Sequence, residues 1–301
     1  MSSQPAEPVV RSCVGRFCLE VPTSMVRKAG SFSLQYVSLD EVFWKEPDAE
    51  ARTHVWKARL ARIEALKLER EIPTDSRGEI RGQRELAPGL RGVLFHEDDN
   101  PELVSWGGLL NSGPVDVWMQ IDGDLDRESE WAARLSEVAQ SYRPLEAQEK
   151  WPVPGKDWFY LNYGRVSLPM KFKEEAQARF EGHPLGLKLA ITTKTVSQVK
   201  KQSLMDRLSD SLALAGETMQ GSLVTQKYKS RKVAGLEGEE LILRYTEGKK
   251  RQLYCLWTYA GEAKSGSHPK MSIEMESNLD QDDAKVAVWN QVLDSVRPAG
   301  L

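Results

Sequence analysis

Val117-Trp118-Met119-Gln120-Ile121-Asp122 alternates apolar and more polar residues, and 154 positions later Met271-Ser272-Ile273-Glu274-Met275-Glu276 does so again. A side-chain period of two puts Val117, Met119 and Ile121, and likewise Met271, Ile273 and Met275, on one buried face of a strand. At the same offset Leu125-Asp126 falls on Leu279-Asp280. Asp126 and Asp280 are expected as helix N-caps, where a carboxylate accepts from the first unpaired amides, and acidic residues follow in both first turns. Leu135, Val138, Ala139 and Tyr142 then map onto Trp289, Val292, Leu293 and Val296, an i, i+3, i+4, i+7 stripe in each copy. Both helices close on Ser-x-Arg-Pro, at residues 141–144 and 295–298, and proline disfavours helical geometry before it.

Working outward, weaker matches keep the same order. Gly15-Arg16-Phe17-Cys18-Leu19-Glu20-Val21-Pro22 resembles Gly164-Arg165-Val166-Ser167-Leu168-Pro169, with the second copy two residues shorter. Gly89-Leu90-Arg91-Gly92 returns as Gly235-Leu236-Glu237-Gly238, and Trp106 has a counterpart in Trp257. Residues 48–69 place Val55, Trp56, Leu60, Ile63 and Leu66 on a helical face. Leu204, Leu208 and Leu212 suggest a helix in the second half, just after a strand through Leu187, Leu189 and Ile191. Residues 239–245 and 252–259 read as a hairpin turned at 246–251. The pattern predicts an α+β fold of two similar tandem lobes, 1–148 and 149–301. Each is expected as a mainly antiparallel sheet with helices packed on one face, the link being stiffened by Trp151-Pro152-Val153-Pro154-Gly155.

Length and composition agree. The chain has 301 residues, 40% hydrophobic and 28% charged, a range typical of globular proteins with ordinary cores. Its 41 Lys+Arg against 44 Asp+Glu lack the positive excess of a generally basic nucleic-acid binder. No segment approaches the roughly 18 to 20 consecutive apolar residues of a membrane-spanning helix. Cys13 and Cys18 lie roughly 16 Å apart if the strand between them is straight, beyond the about 7 Å that a disulfide allows. The three cysteines are therefore expected as small buried side chains, with a bond from Cys255 to one of the others left open.

Catalytic signatures fail one by one. There is no Gly-x-Ser-x-Gly elbow, His-Glu-x-x-His, Cys-x-x-Cys or phosphate-cradling glycine loop. Ser265, Ser267 and His268 sit in a loop composition. Asp122, Asp124 and Asp126 resemble the start of a calcium loop, but Arg127 and Ala133 occupy the positions that need glycine and an acidic ligand. No metal and no cofactor is expected. His96 with Glu97, Asp98 and Asp99 reads as a solvated hairpin tip, and Lys227, Lys229, Arg231 and Lys232 as a solvated edge. Trp44, Trp151 and Trp158 are the least periodic tryptophans. The tips of the two copies differ in sign: Asp98 and Asp99 in the first, Lys249, Lys250 and Arg251 in the second. Opposite charge at equivalent tips suits partner binding, which makes these five the candidate partner-contact residues.

Cys13-Val14-Gly15-Arg16-Phe17 through Val21-Pro22, Gly235-Leu236-Glu237-Gly238-Glu239-Glu240, Trp257, Pro269 and the helix at 289–297 together resemble the two-domain immunity proteins that neutralise type VI secretion phospholipase effectors. Tyr160-Leu161-Asn162-Tyr163 departs from the cysteine-containing strand expected of many relatives. The resemblance implies a non-enzymatic inhibitor that clamps a cognate lipase of the α/β-hydrolase type and blocks lid opening or substrate access. It also implies a periplasmic location. Residues 1–10 carry no apolar export stretch, so the cytoplasm is the alternative. The competing reading of the whole chain is a two-lobed binder of a small molecule or lipid.

Overall fold

The computed structural model describes residues 7–146, apart from 47, 71, 73 and 74, and residues 158–300, apart from 172, 200–202, 207–221, 249, 279 and 280. In chain order the strands are β1 (Val9–Val14), β2 (Phe17–Pro22), β3 (Val26–Leu34), β4 (Val37–Phe43), β5 (Ile80–Ala87) and β6 (Leu90–Phe95). Next come β7 (Leu103–Ser112), β8 (Val115–Asp124), β9 (Tyr142–Pro144), β10 (Trp158–Tyr160), β11 (Gly164–Ser167) and β12 (Glu174–Glu181). The rest are β13 (Lys188–Lys194), β14 (Ser222–Val233), β15 (Leu236–Glu247), β16 (Lys250–Tyr259), β17 (Lys270–Asn278) and β18 (Arg297–Pro298). Helices α1 (Ala49–Ala65), α2 (Glu128–Ser141) and α3 (Asp282–Ser295) accompany them. The fold is α+β with mainly antiparallel sheet.

Two compact units result. One comprises residues 31–146 and 162–168; the other comprises the described residues among 1–30, 147–161 and 169–301. In the first, β4, β8, β7, β6 and β5 pair antiparallel in that order. Val117, Met119 and Ile121 are buried on the face that α2 covers with Leu135, Val138 and Ala139. Gly108 permits that approach, since a Cβ there would meet Leu135 and Leu90 at 2.9 Å. Trp106 Nε1 donates to the Glu128 carboxylate at the start of α2 (2.9 Å). The opposite face carries Val93, Phe95, Leu109 and Trp118, and α1 closes it with Trp56 and Ile63. Each of those two α1 side chains contributes about 2 kcal/mol of apolar burial. Helices thus flank this sheet on both sides, because the alternating Trp118 leaves a second apolar face to cover.

In the other unit β14, β15, β16, β17, β13 and β12 pair antiparallel. Met271, Ile273, Met275, Cys255 and Trp257 are buried, as are Trp289, Val292 and Leu293 of α3. Leu204, Leu241 and Leu243 form a separate cluster with Tyr254 and Leu256. Residues 204–206 are helical, while Leu208 and Leu212 of the expected helix lie outside the described residues.

Three expectations are corrected in detail. Cys13 and Cys18 are disulfide-bonded, with Cα atoms 3.9 Å apart, because β1 and β2 form a hairpin that sets them directly opposite. The chain reverses at Gly15, whose φ of 56° lies in the left-handed region. A straight-strand spacing does not apply to it. Cys255 is free and buried; burial, with the Glu240 charge, pushes its thiol up to about 12. Asp126 is not a cap: it sits inside a 3-10 turn, Leu125–Arg127, and α2 begins after Arg127 with no side-chain cap bond. Asp280 lies outside the described residues, and Gln281 precedes α3.

Candidate functional site

The β6–β7 tip is organised rather than loose. Asp98 Oδ1 accepts from Asn100 N–H and Asn100 Oδ1 from Glu102 N–H, each at 3.0 Å. Asp98 and Asp99 are exposed, with Asp99 3.8 Å from Arg77. His96 leaves the expected tip altogether and is buried. Its Nδ1 is 2.7 Å from the Leu103 carbonyl, so that nitrogen donates, and Nε2 accepts from Arg81 (3.3 Å). Both ring nitrogens are committed. Burial first, then Asp122, raises the Glu97 carboxyl above its ordinary value.

At the β15–β16 turn, Glu247 pairs with Lys250, so the strands run closer to the tip than the sequence suggested. Lys249 lies outside the described residues, Lys250 opens β16, and Arg251 is an exposed strand residue opposite Thr246. Of the five candidate residues, Asp98 and Asp99 share the β6–β7 tip in one unit, and Lys250 and Arg251 lie at the β15–β16 turn in the other.

The basic run on β14 is a solvated edge only in part: Lys229 and Lys232 are exposed, but the other two turn inward. Lys227 and Arg231 reach the buried Glu240 at 3.0 and 2.9 Å, and Trp289 Nε1 donates to it at 2.9 Å. Burial raises the Glu240 carboxyl, but hydrogen bonds from Lys227 and Trp289 with the Arg231 charge more than offset this and hold it below the ordinary range. This cluster is structural: it ties β14, β15 and α3 together. Ser267 Oγ lies 3.0 Å from His268 Nδ1, and Glu262 lies 3.7 Å from the same nitrogen. A Ser-His-acid relay needs the two partners on opposite ring nitrogens, so this trio is not one. Trp44 is half-buried and donates to Asp116 (2.8 Å); Trp158 is half-buried in β10, and Trp151 lies outside the described residues.

Sequence reading missed one surface feature. Phe43, at the end of β4, stacks on Tyr163 with ring centroids 5.2 Å apart, yet the two residues remain 51% and 43% exposed. The support beneath them is rigid. Glu41 accepts the Tyr142 hydroxyl at 2.7 Å and the backbone N–H groups of Asn162 and Tyr163 at 2.8 and 2.9 Å. Leu145 N–H donates to the Tyr163 carbonyl (2.7 Å), and a side chain at Gly164 would collide with the Tyr142 ring. Exposed aromatic rings held on a fixed backbone lose little entropy on docking, the property of an interface anchor. In the other unit a depression of about 300 Å³ on the sheet face is lined by Arg179, Lys188, Thr192, Tyr254, Glu274 and Glu276. Lys188 and Glu276 pair across it at 3.4 Å.

The family model of the Tle cognate immunity protein 4 C-terminal domain matches residues 161–299. The match lies in the second half of the chain. Likeness of fold extends over the rest of the chain. The apo immunity protein TplEi of the type VI secretion system of Pseudomonas aeruginosa superposes with a TM-score of 0.75 at 17% identity, covering 97% of each chain. The Tle4–Tli4 complex contributes a chain matched with a TM-score of 0.76 at 16% identity, over 97% of this chain and 98% of that one. TplEi bound to an "L" peptide matches at 0.72 and 14%, over 97% and 99%. No curated protein matches the chain.

Proposed function

We propose that this chain is the immunity partner of a Tle-type phospholipase effector of type VI secretion, which it binds and inhibits by obstruction, protecting the producing cell. The observation that carries this reading is likeness over nearly the full length to the chain in the Tle4–Tli4 complex, together with the immunity-family match at 161–299. The protein acts without chemistry of its own: His96 and Glu240 are committed to neighbouring groups, and the Ser267–His268–Glu262 geometry does not make a relay. Docking draws on the acidic Asp98–Asp99 tip, the basic Lys249–Arg251 tip and the Phe43–Tyr163 pair. A stable complex needs about 1,200–2,000 Å² of buried surface, more than any one of these patches supplies alone. The two halves, 1–148 and 149–301, are related by duplication. The site of action is the periplasm, in keeping with the Cys13–Cys18 disulfide, since such bonds persist in oxidising compartments.

The test is a titration of the phospholipase encoded beside this gene against a fluorogenic phospholipid. Inhibition is complete near one equivalent. An enzyme that stays fully active in excess protein, with no complex on size exclusion, overturns the reading.

A further inference from the structure

We infer that the two duplicated halves have exchanged their opening strands, so that neither 1–148 nor 149–301 is a self-contained domain. Helix α2 ends the first half, yet its closing strand β9 pairs with β11 of the second: Tyr142 faces Val166, Arg143 faces Arg165 and Pro144 faces Gly164. Helix α3 ends the second half, yet its closing strand β18 pairs with β2 of the first: Arg297 faces Cys18 and Pro298 faces Phe17.

The two dockings are copies of one another. Arg143 Nη1 donates to the Gln140 and Tyr142 carbonyls at 2.8 and 2.6 Å, and Arg297 Nη1 to those of Asp294 and Val296 at 2.8 and 3.0 Å. Leu145 N–H bonds the Tyr163 carbonyl as Ala299 N–H bonds that of Arg16 (2.7 and 2.8 Å). Their register equates Gly164 with Phe17 and Arg165 with Cys18. This agrees with the match of the opening strands when they are aligned on Pro22 and Pro169, and it shows that the Gly-Arg common to both stretches does not occupy equivalent places.

Burial follows the crossed arrangement. Leu19 and Val21 of β2 are buried in the unit of α3, which packs against β2, while Glu20 N–H bonds Ser295 Oγ at 2.8 Å. In that same unit Arg16 forms a buried ion pair with Glu174 (2.7 Å). Val166 of β11 is buried in the unit of α2. Each opening strand carries the same apolar alternation, Leu19 and Val21 in one and Val166 and Leu168 in the other, while Gly164, at the place of Phe17, leaves room for the Tyr142 ring. Exchange alters which segment supplies each opening strand, as in domain swapping.

Covalent trapping in the full chain tests this. A protease site is inserted within residues 147–157, and one variant carries Arg143→Cys with Arg165→Cys. A second variant carries Cys13→Ser with Arg297→Cys, which leaves Cys18 to meet position 297. Directly opposed strand residues lie within disulfide reach. After oxidation and cleavage, each variant runs at full-length mass on a non-reducing denaturing gel and splits into two pieces when reduced. The cleaved parent, without added cysteines, stays together on native size exclusion. Pieces that separate without reductant in protein that is folded by circular dichroism overturn the exchange, as do halves of the cleaved parent that part and remain folded. The second cysteine pair keeps the test open if the first variant does not fold.

Discussion

His183 is a pH-sensitive joint. Its Nδ1 accepts from Leu185 N–H (3.1 Å) and its Nε2 lies 3.2 Å from Glu7, whose other oxygen accepts Ser24 N–H at 2.9 Å. An imidazole that accepts at one nitrogen holds its proton on the other, so a second proton must break the Leu185 bond. Burial lowers the His183 value from the usual histidine range, with Glu7 pulling the other way. The folded value being the lower one, the unfolded chain binds the proton first. The contribution to stability is therefore whole above about pH 6.5 and is lost as pH falls. Unfolding free energies from urea titrations are expected to fall from pH 7.5 to 5.5 by at most about 1.4 kcal/mol per pH unit from this group, and His183→Asn flattens that part of the slope. A variant as acid-sensitive as the parent refutes the assignment. Such joints were the least legible part of the sequence. Lys227 and Arg231 looked like a wet edge because nothing in a run of cations reveals a carboxylate folded beneath it, here Glu240 on the neighbouring strand.

Elements were legible where one period dominated. Met271–Met275 alternates both in sequence and in burial, and Val117, Met119 and Ile121 are buried as expected, though Trp118 between them is buried on the opposite face. Residues 48–69 form α1 and a following 3-10 turn, and Trp56 and Ile63 face the core. Element ends were less legible, because a cap depends on where the backbone leaves extended geometry. Asp48 makes a true cap: its φ of −121° is extended and its Oδ1 accepts Glu50 N–H at 2.9 Å. Asp126 has the same chemistry, but the 3-10 turn moves the start of α2 beyond it. Asp48→Ala is expected to cost about 1 kcal/mol in urea unfolding. Asp126→Ala, at an exposed turn position, changes stability by less than about 0.5 kcal/mol. Equal losses for the two would show that side-chain type alone, not backbone position, sets the effect. The hairpin disulfide failed for a related reason: Cys13 to Cys18 is far along a strand and near across a turn, and Gly15 decides which holds.

At the scale of the molecule, a repeated sequence pattern was readable and partner choice was not. The two opening strands share one apolar pattern, and what separates them, Gly164 fitting the Tyr142 ring where the other strand has Phe17, shows only once the strands are docked. The same limit hid Phe43 and Tyr163, which are 120 residues apart and become neighbours only when Glu41 gathers the backbone at 162–163 beside β4. Both rings are already half exposed, so removing them forfeits little burial in the free protein. An anchor of this kind instead loses its value in the complex, where truncating a central aromatic residue typically costs 2 kcal/mol or more. Phe43→Ala and Tyr163→Ala are accordingly expected to weaken binding of the phospholipase by about thirtyfold each, the equivalent of about 2 kcal/mol. The thermal midpoint should stay within a few degrees of the parent's. Since the rings touch, the double variant should lose less than the two single losses added together. Full inhibition at one equivalent by the double variant, with an unchanged dissociation constant, would place the effector contact elsewhere on the surface. A matching collapse in thermal stability would make the pair a packing element instead. Calorimetric binding and a melting curve on the same four proteins separate these outcomes.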